Sequence, residues 1–536
     1  MELGISVFTW VLILFWFGEG CASKLPTSPG PLGSGISVAE TATDCSQVRQ
    51  LFKMKKLEQF HLVSDNLTQD NELKICSTAN TCCSRELENR FITSAGEDFR
   101  LKIQTTSSSL KSLLKTTAIH LQENFIRMTR WSENNTKSLF GQVYQNLEPA
   151  AQFAVTQLYS DLMDFLRGKN VDLEVQLSDF FASLFPHIYR HGINSNVGDF
   201  GDEFVKCLRR VHADIKPFDE KPYRLALQVT RSFHDARTFL QALSLGLEVI
   251  NTTDYKDLET ECNKALVSMT YCAYCQNSMA EKPCTGYCLN VARGCLAQVA
   301  ELDHPWSEFI TGIELIISGM LDYHNIEKVL TMMDAKISES IMYAMEHGPE
   351  ITTQVQQHCD NHRRSERSTQ PTLAPPSQDS ATPATTSSSF KPTLYQDLKT
   401  FVQKIAEFKG YYGYLADSVC DDRTWASRGE MNCWNGYNVG EYKKAIAGIG
   451  IGAQKYNPEF STKVQRDVTI SSLVDKLVNM RMLLDHQITR TPMAESLIVP
   501  ETGSGDSSTI WKESGIQDDE DYYYHGSGSG YFRGMF

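Results

Sequence analysis

Apolar positions along most of this 536-residue chain recur every three or four residues. Ile326, Val329, Leu330, Met333, Ile337 and Ile341 stand at i, i+3, i+4, i+7, i+11 and i+15, which places them on one face of an α-helix. Asn325 sits where an N-cap belongs, and Gly348-Pro349 predicts the stop. SFHDARTFLQALSLGLEVI predicts a second face from Phe239, Leu240, Leu243, Leu247 and Ile250. SSLVDKLVNMRMLLDHQI predicts a third from Leu473, Leu477, Met480 and Leu484. Strict apolar/polar alternation, the mark of a half-buried strand, is scarce. The pattern over residues 45–490 therefore predicts an all-α fold of long helices.

Breaks in the pattern divide the chain. An apolar run from Ile5 to Phe17 is too short to span a bilayer, and Gly18, Gly20 and Ala22 follow it. Residues 1–22 read as a secretory signal peptide, although Glu2 stands where a basic residue is usual. Residues 23–44, rich in Pro, Gly, Ser and Thr, predict a flexible leader. Over residues 361–392 apolar positions nearly vanish and a disordered loop is expected. Near its start Arg364-Ser-Glu-Arg367 fits the Arg-x-x-Arg site of secretory proprotein convertases, with a solvated charged loop as the alternative. Order is expected to fail again over residues 491–536.

Composition narrows the chemistry. A net charge of −14 with no basic stripe argues against a nucleic-acid partner. Removal of residues 1–22 takes Cys21 with it and leaves 14 of the 15 cysteines, an even number suited to disulfides in an oxidising compartment. Cys272-x-x-Cys275 has the spacing of half a zinc site or a redox pair, but Cys284, Cys288 and Cys295 do not continue a zinc ribbon. Asn66-Leu-Thr, Asn134-Asn-Thr and Asn251-Thr-Thr are N-glycosylation sequons, consistent with secretion. The chain has no G-x-S-x-G, no H-E-x-x-H and no P-loop. Gly448, Gly450 and Gly452 lack dinucleotide-site spacing and follow a helical pattern, which predicts a bend between helices. The 13 histidines show no metal-ligand spacing, and Cys359 beside His358 is accounted for by a cystine. No enzyme, no cofactor and no metal site is expected.

The tail has a chemistry of its own. Ser504, Ser514, Ser527 and Ser529 each precede a glycine. Ser-Gly is the usual acceptor for the xylose that starts a glycosaminoglycan chain, because glycine leaves the hydroxyl unhindered on an open backbone. Asp506, Glu513 and Asp518 to Asp521 supply acid beside these serines, and Trp511 and Tyr522 to Tyr524 supply aromatic contact. The tyrosines, preceded by acids, also suit sulfation. A solubilising Gly/Ser linker is the alternative reading. Ser318-Gly319, within apolar IISGM, reads as structural.

Several long segments together resemble the glypicans, cell-surface heparan sulfate proteoglycans. They are TCCSRELENRF (Thr81 to Phe91), SLFPHIYRH (Ser183 to His191), FLQALSLGLEVINTTDY (Phe239 to Tyr255) and YCAYCQNSMAEKPCTGYCLNVARGC (Tyr271 to Cys295), with CWNG (Cys433 to Gly436) and the SGSG tail. The resemblance is nearest to the glypican-three and glypican-five branch. It implies an elongated helical core with an N-terminal cysteine-rich lobe. By cysteine order it implies the pairs Cys45–Cys82, Cys76–Cys272, Cys83–Cys275, Cys207–Cys359, Cys262–Cys295, Cys284–Cys433 and Cys288–Cys420. The last two span Arg367, so cleavage there would nick the core without separating its halves. The resemblance further implies a co-receptor for Wnt, Hedgehog, FGF and BMP ligands, acting outside the cell through heparan sulfate and partly through the core. A secreted ligand-binding protein that works through its core without glycans is the alternative. Glypicans end in an apolar tail exchanged for a GPI anchor, whereas this sequence stops at Phe536; an anchor to the outer leaflet is expected of a longer form, and a secreted form otherwise.

Overall fold

A computed structural model describes residues 44–54, 61–67, 72–77, 80–194, 200–276, 282–359, 394–429, 431–460 and 466–489. Over them run the helices α1 (Ser46–Met54), α2 (Arg85–Gln142), α3 (Glu148–Leu166), α4 (Leu173–Ile188) and α5 (Asp202–Ile215). There follow α6 (Lys221–Asp254), α7 (Thr260–Thr270), α8 (Cys272–Cys275), α9 (Thr285–Cys295) and α10 (Asp303–Leu321). The last are α11 (Ile326–Glu346), α12 (Gly348–Cys359), α13 (Leu394–Ala406), α14 (Leu415–Cys420) and α15 (Val468–Thr489). Among the described residues extended pairing is limited to isolated bridges, so the all-α expectation holds.

The chain divides into two compact units. The smaller gathers the described residues of Met1–Glu97, Asn263–Tyr287 and Ala426–Lys443, and the larger those of Asp98–Cys262, Cys288–Trp425 and Lys444–Phe536. In the larger unit the helices pack by their apolar faces. Asn325 caps α11, its side chain accepting from the Lys328 N–H, and Ile326, Leu330, Met333, Ile337 and Ile341 are buried. On α15, Leu473, Leu477 and Leu484 are buried together with Ile470, while Met480 is only half-buried.

Two local expectations are corrected. The buried face of α6 is Phe239, Ala242, Leu243, Gly246, Val249 and Ile250, while Leu240 and Leu247 stay half-exposed. Small residues belong to that face because neighbours come close: a β-carbon on Gly246 would lie 3.2 Å from Leu114. As expected, α11 stops just before Gly348-Pro349, at Glu346, and the pair then opens a new helix, α12. Proline at the second helical position surrenders an N–H that a first turn does not use. Gly448 to Gly452 follows an irregular stretch rather than a helix; Gly450, at φ +82°, leads into a 3-10 turn over Ile451–Tyr456.

Candidate functional site

All 14 cysteines counted above lie in disulfides, and each bond falls within one unit. The smaller unit holds Cys45–Cys82, Cys76–Cys272, Cys83–Cys275 and Cys284–Cys433. The larger holds Cys207–Cys359, Cys262–Cys295 and Cys288–Cys420. They close sequence separations from 33 to 196 residues, each stabilising by about 4–5 kcal/mol in the chain-entropy account. A small unit assembled from three distant chain segments needs such help, since its core alone excludes little surface from water.

The smaller unit shows why its sequence reads as it does. Thr81 is buried and its hydroxyl accepts from the Cys83 N–H. Ser84 caps α2 by accepting from the Leu87 N–H. One turn on, Glu88 is 2% exposed, and its carboxylate accepts from the backbone N–H groups of Lys74, Ile75 and Cys76 at 3.0, 2.8 and 2.8 Å. A buried carboxylate is tolerated there because charge-assisted bonds replace its water. Phe91, one helical turn further, stacks on Tyr271 at 4.5 Å. In CWNG, the Trp434 indole is buried and donates to the Ser268 carbonyl, and the Asn435 side chain accepts from the Tyr437 and Asn438 N–H groups. Gly436 sits at φ +95°, where a β-carbon would come within 2.9 Å of the Tyr287 ring.

The larger unit repeats the lesson. Asn290 donates to the Ala445 carbonyl and accepts from the Ala447 N–H, tying α9 to the irregular segment. Arg293 donates to the Ala447 carbonyl and to Asp417. In SLFPHIYRH, Pro186 lies inside α4, and the chain continues as a π-turn over Tyr189–Ile193 closed by the Asn194 N–H on the Tyr189 carbonyl.

The sequons divide into asparagine and threonine roles. Asn66, Asn134 and Asn251 are all exposed, Asn134 on α2 and Asn251 on α6. Thr136 and Thr253, by contrast, are buried. Thr136 meets the Tyr159 hydroxyl at 2.8 Å, and Ser132 meets it from the other side at 2.8 Å. Burial raises the Tyr159 pKa, so the hydroxyl keeps its proton and serves this chain of bonds. Thr253 donates to the Ile250 carbonyl and lies 3.2 Å from the Tyr412 hydroxyl. Ser318-Gly319 is part of α10, a closed helical backbone. Ser504, Ser514, Ser527 and Ser529, and Arg364 and Arg367, lie outside the described residues. Cys284–Cys433 and Cys288–Cys420 each join a residue before that arginine pair to one after it. His358 turns its Nδ1 to the Gln354 carbonyl, and Cys359 is disulfide-bonded.

The family model for glypicans matches residues 32–534 of this sequence. The chain belongs to the glypican family. It is 36% identical to glypican-5 of Homo sapiens over 503 residues, covering 92% of this chain and 86% of that protein. It is 34% identical to glypican-5 of Mus musculus over 498 residues, with the same coverage of 92% and 86%. Crystal structures of glypican-1 superpose with a TM-score of 0.72 at 25% identity, over 84% of this chain and the whole of that one. A Dally-like protein solved in complex with O-palmitoleoyl serine shares the fold, with a TM-score of 0.60 at 24% identity, over 84% of this chain and 99% of that one. Glypicans are heparan sulfate proteoglycan core proteins of the cell surface, not enzymes, and this glypican is a core protein of that kind. Among the described residues no helix is long and apolar enough to cross a membrane.

Proposed function

We propose that this glypican is a co-receptor that regulates growth-factor and morphogen signalling, with heparan sulfate on the tail serines. The observation that carries the reading is a conjunction: a glypican core followed by Ser504, Ser514, Ser527 and Ser529 in Ser-Gly pairs, with Asp518 to Asp521 beside the last two. Ser527 and Ser529 are the foremost attachment sites. Sulfated chains on a tail give a polyanion whose many weak contacts add up on basic ligands, and salt screens them. Wnt, Hedgehog, FGF and BMP ligands are the partners this reading names. The Dally-like protein's complex with an acylated serine favours a contribution from the folded core as well. N-glycans on Asn66, Asn134 and Asn251, convertase cleavage after Arg367, and outer-leaflet attachment through a GPI anchor complete the proposal.

Surface plasmon resonance on an immobilised FGF tests it. Binding by the intact secreted protein should weaken about tenfold on heparinase treatment, a loss of about 1.4 kcal/mol. Equal binding before and after treatment, with no change in a Wnt or Hedgehog reporter on co-expression, would overturn the co-receptor reading.

A further inference from the structure

In the larger unit a cavity of about 820 Å³ opens between the N-terminal end of α4 and one face of α6. Leu227, Thr230, Arg231 and His234 of α6 line it at helical spacing, and His324, from the turn between α10 and α11, completes the wall. His324 is 4% exposed and Asp235 3%, with Nδ1 of the one 2.7 Å from Oδ2 of the other. A carboxylate only accepts, so Nδ1 carries the proton and Nε2 is the open end of the ring. Nε2 is buried and has no hydrogen-bond partner, and the same holds for the Thr230 hydroxyl. Buried polar atoms are nearly always paired, and each one left alone costs about 1–3 kcal/mol. Two such atoms on residues lining one cavity point to a ligand that supplies the missing partners.

The rest of the wall decides the ligand's chemistry. Arg231 brings a guanidinium, Glu174 a carboxylate and Asn170 an amide. Asp172 is already committed, because its carboxylate caps α4 through the N–H groups of Glu174 and Val175. An acyl chain would desolvate all of these without return. A bare phosphate would meet Glu174 as well as Arg231. We propose that the cavity binds an acidic saccharide, one or two sugar units bearing a sulfate or carboxylate. The oxyanion meets Arg231, one ring hydroxyl donates to the His324 Nε2, and the other hydroxyls meet Thr230, Asn170 and Glu174. The proposal rests on the proteoglycan reading for the source of the sugar, not for the chemistry of the site.

The test uses the core with Ser504, Ser514, Ser527 and Ser529 all changed to alanine, so that absent or misassigned tail glycans leave it intact. Calorimetric titration with a heparin-derived hexasaccharide in about 0.15 M salt should give saturable one-to-one binding. Arg231→Gln should weaken it about tenfold and Thr230→Val about fivefold, in the range of a lost charge-assisted and a lost neutral hydrogen bond. Both variants should unfold at the parent temperature, and Arg209→Gln on the exposed side of α5 should bind as the parent does. Desulfation and carboxyl reduction of the sugar should abolish binding. In the intact proteoglycan, weaker titration that heparinase restores assigns the site to the protein's own chains, and unaltered titration assigns it to sugars from outside. Absence of binding by the glycan-free core overturns the proposal, as does binding that ignores both Arg231→Gln and Thr230→Val.

Discussion

Valine in place of Thr136 would separate two roles that an Asn-x-Thr pattern merges. The Ser132 hydroxyl donates to the Leu330 carbonyl at 2.6 Å, so it must accept from Tyr159 at 2.8 Å. Tyr159 has one proton, already given to Ser132, and Thr136 must therefore donate to the Tyr159 oxygen. Thr136→Val keeps the side-chain volume, removes that donation and destroys the sequon in one step. Loss of one buried neutral bond, with the Tyr159 oxygen left with one partner fewer, costs about 1–2 kcal/mol. Asn134→Gln destroys the same sequon at an exposed position and should stay within about 0.5 kcal/mol. The assay is amide exchange over Ser132 to Phe140 in α2, with mass spectrometry to show that both variants lose the same glycan. About 1.4 kcal/mol corresponds to tenfold faster exchange where opening passes through this contact. Equal loss of protection in Asn134→Gln and Thr136→Val would refute the reasoning, because the glycan rather than the hydroxyl would then support the helix.

Three further outcomes follow from the same structure. Glu88→Gln offers one acceptor oxygen and one donor group to three backbone N–H groups, and should destabilise the smaller unit by about 2–4 kcal/mol; an unchanged denaturant midpoint would contradict this. Gly436→Ala forces a left-handed backbone and pushes on the Tyr287 ring, for a cost of about 1–3 kcal/mol, read as reduced secretion and faster exchange in residues 433–440. Asp467 caps α15 through the Thr469 and Ile470 N–H groups, and the Lys256 hydrogen bond foremost holds its carboxyl below the ordinary value. A depressed folded pKa stabilises only while the group is ionised, so Asp467→Ala should cost about 1 kcal/mol at neutral pH. That difference should shrink as pH falls below about 4 and vanish in strong acid, which paired urea titrations across that range would show.

Helices were legible in the sequence wherever apolar spacing was regular and caps were explicit, as over Ile326 to Ile341 with Asn325. Legibility failed where small residues formed the packed face, because Ala242 and Gly246 give no hydrophobic signal although a neighbour stands 3.2 Å from the place of a β-carbon. Irregular backbone over residues 431–450 was equally opaque, since its contacts run to residues far away in sequence, such as Asn290 and Arg293. Within the described core, the segments that resemble glypicans prove to be packing devices: a buried Glu88 clamp, a Trp434 anchor, a φ-positive Gly436. They specify the fold, and the candidate chemistry of glycan attachment stands apart from them in the tail. His324 and Thr230 gave no signal in sequence, since Asp235 and His324 lie 89 residues apart and only the fold makes them neighbours.

Electrophoresis of the secreted protein before and after heparinase tests the central claim most directly. The account predicts a broad, slow-migrating smear that collapses on digestion toward a band near the 60.4 kDa chain mass. It also predicts no smear when Ser504, Ser514, Ser527 and Ser529 are all alanine. A sharp band near 60.4 kDa before any digestion would contradict it.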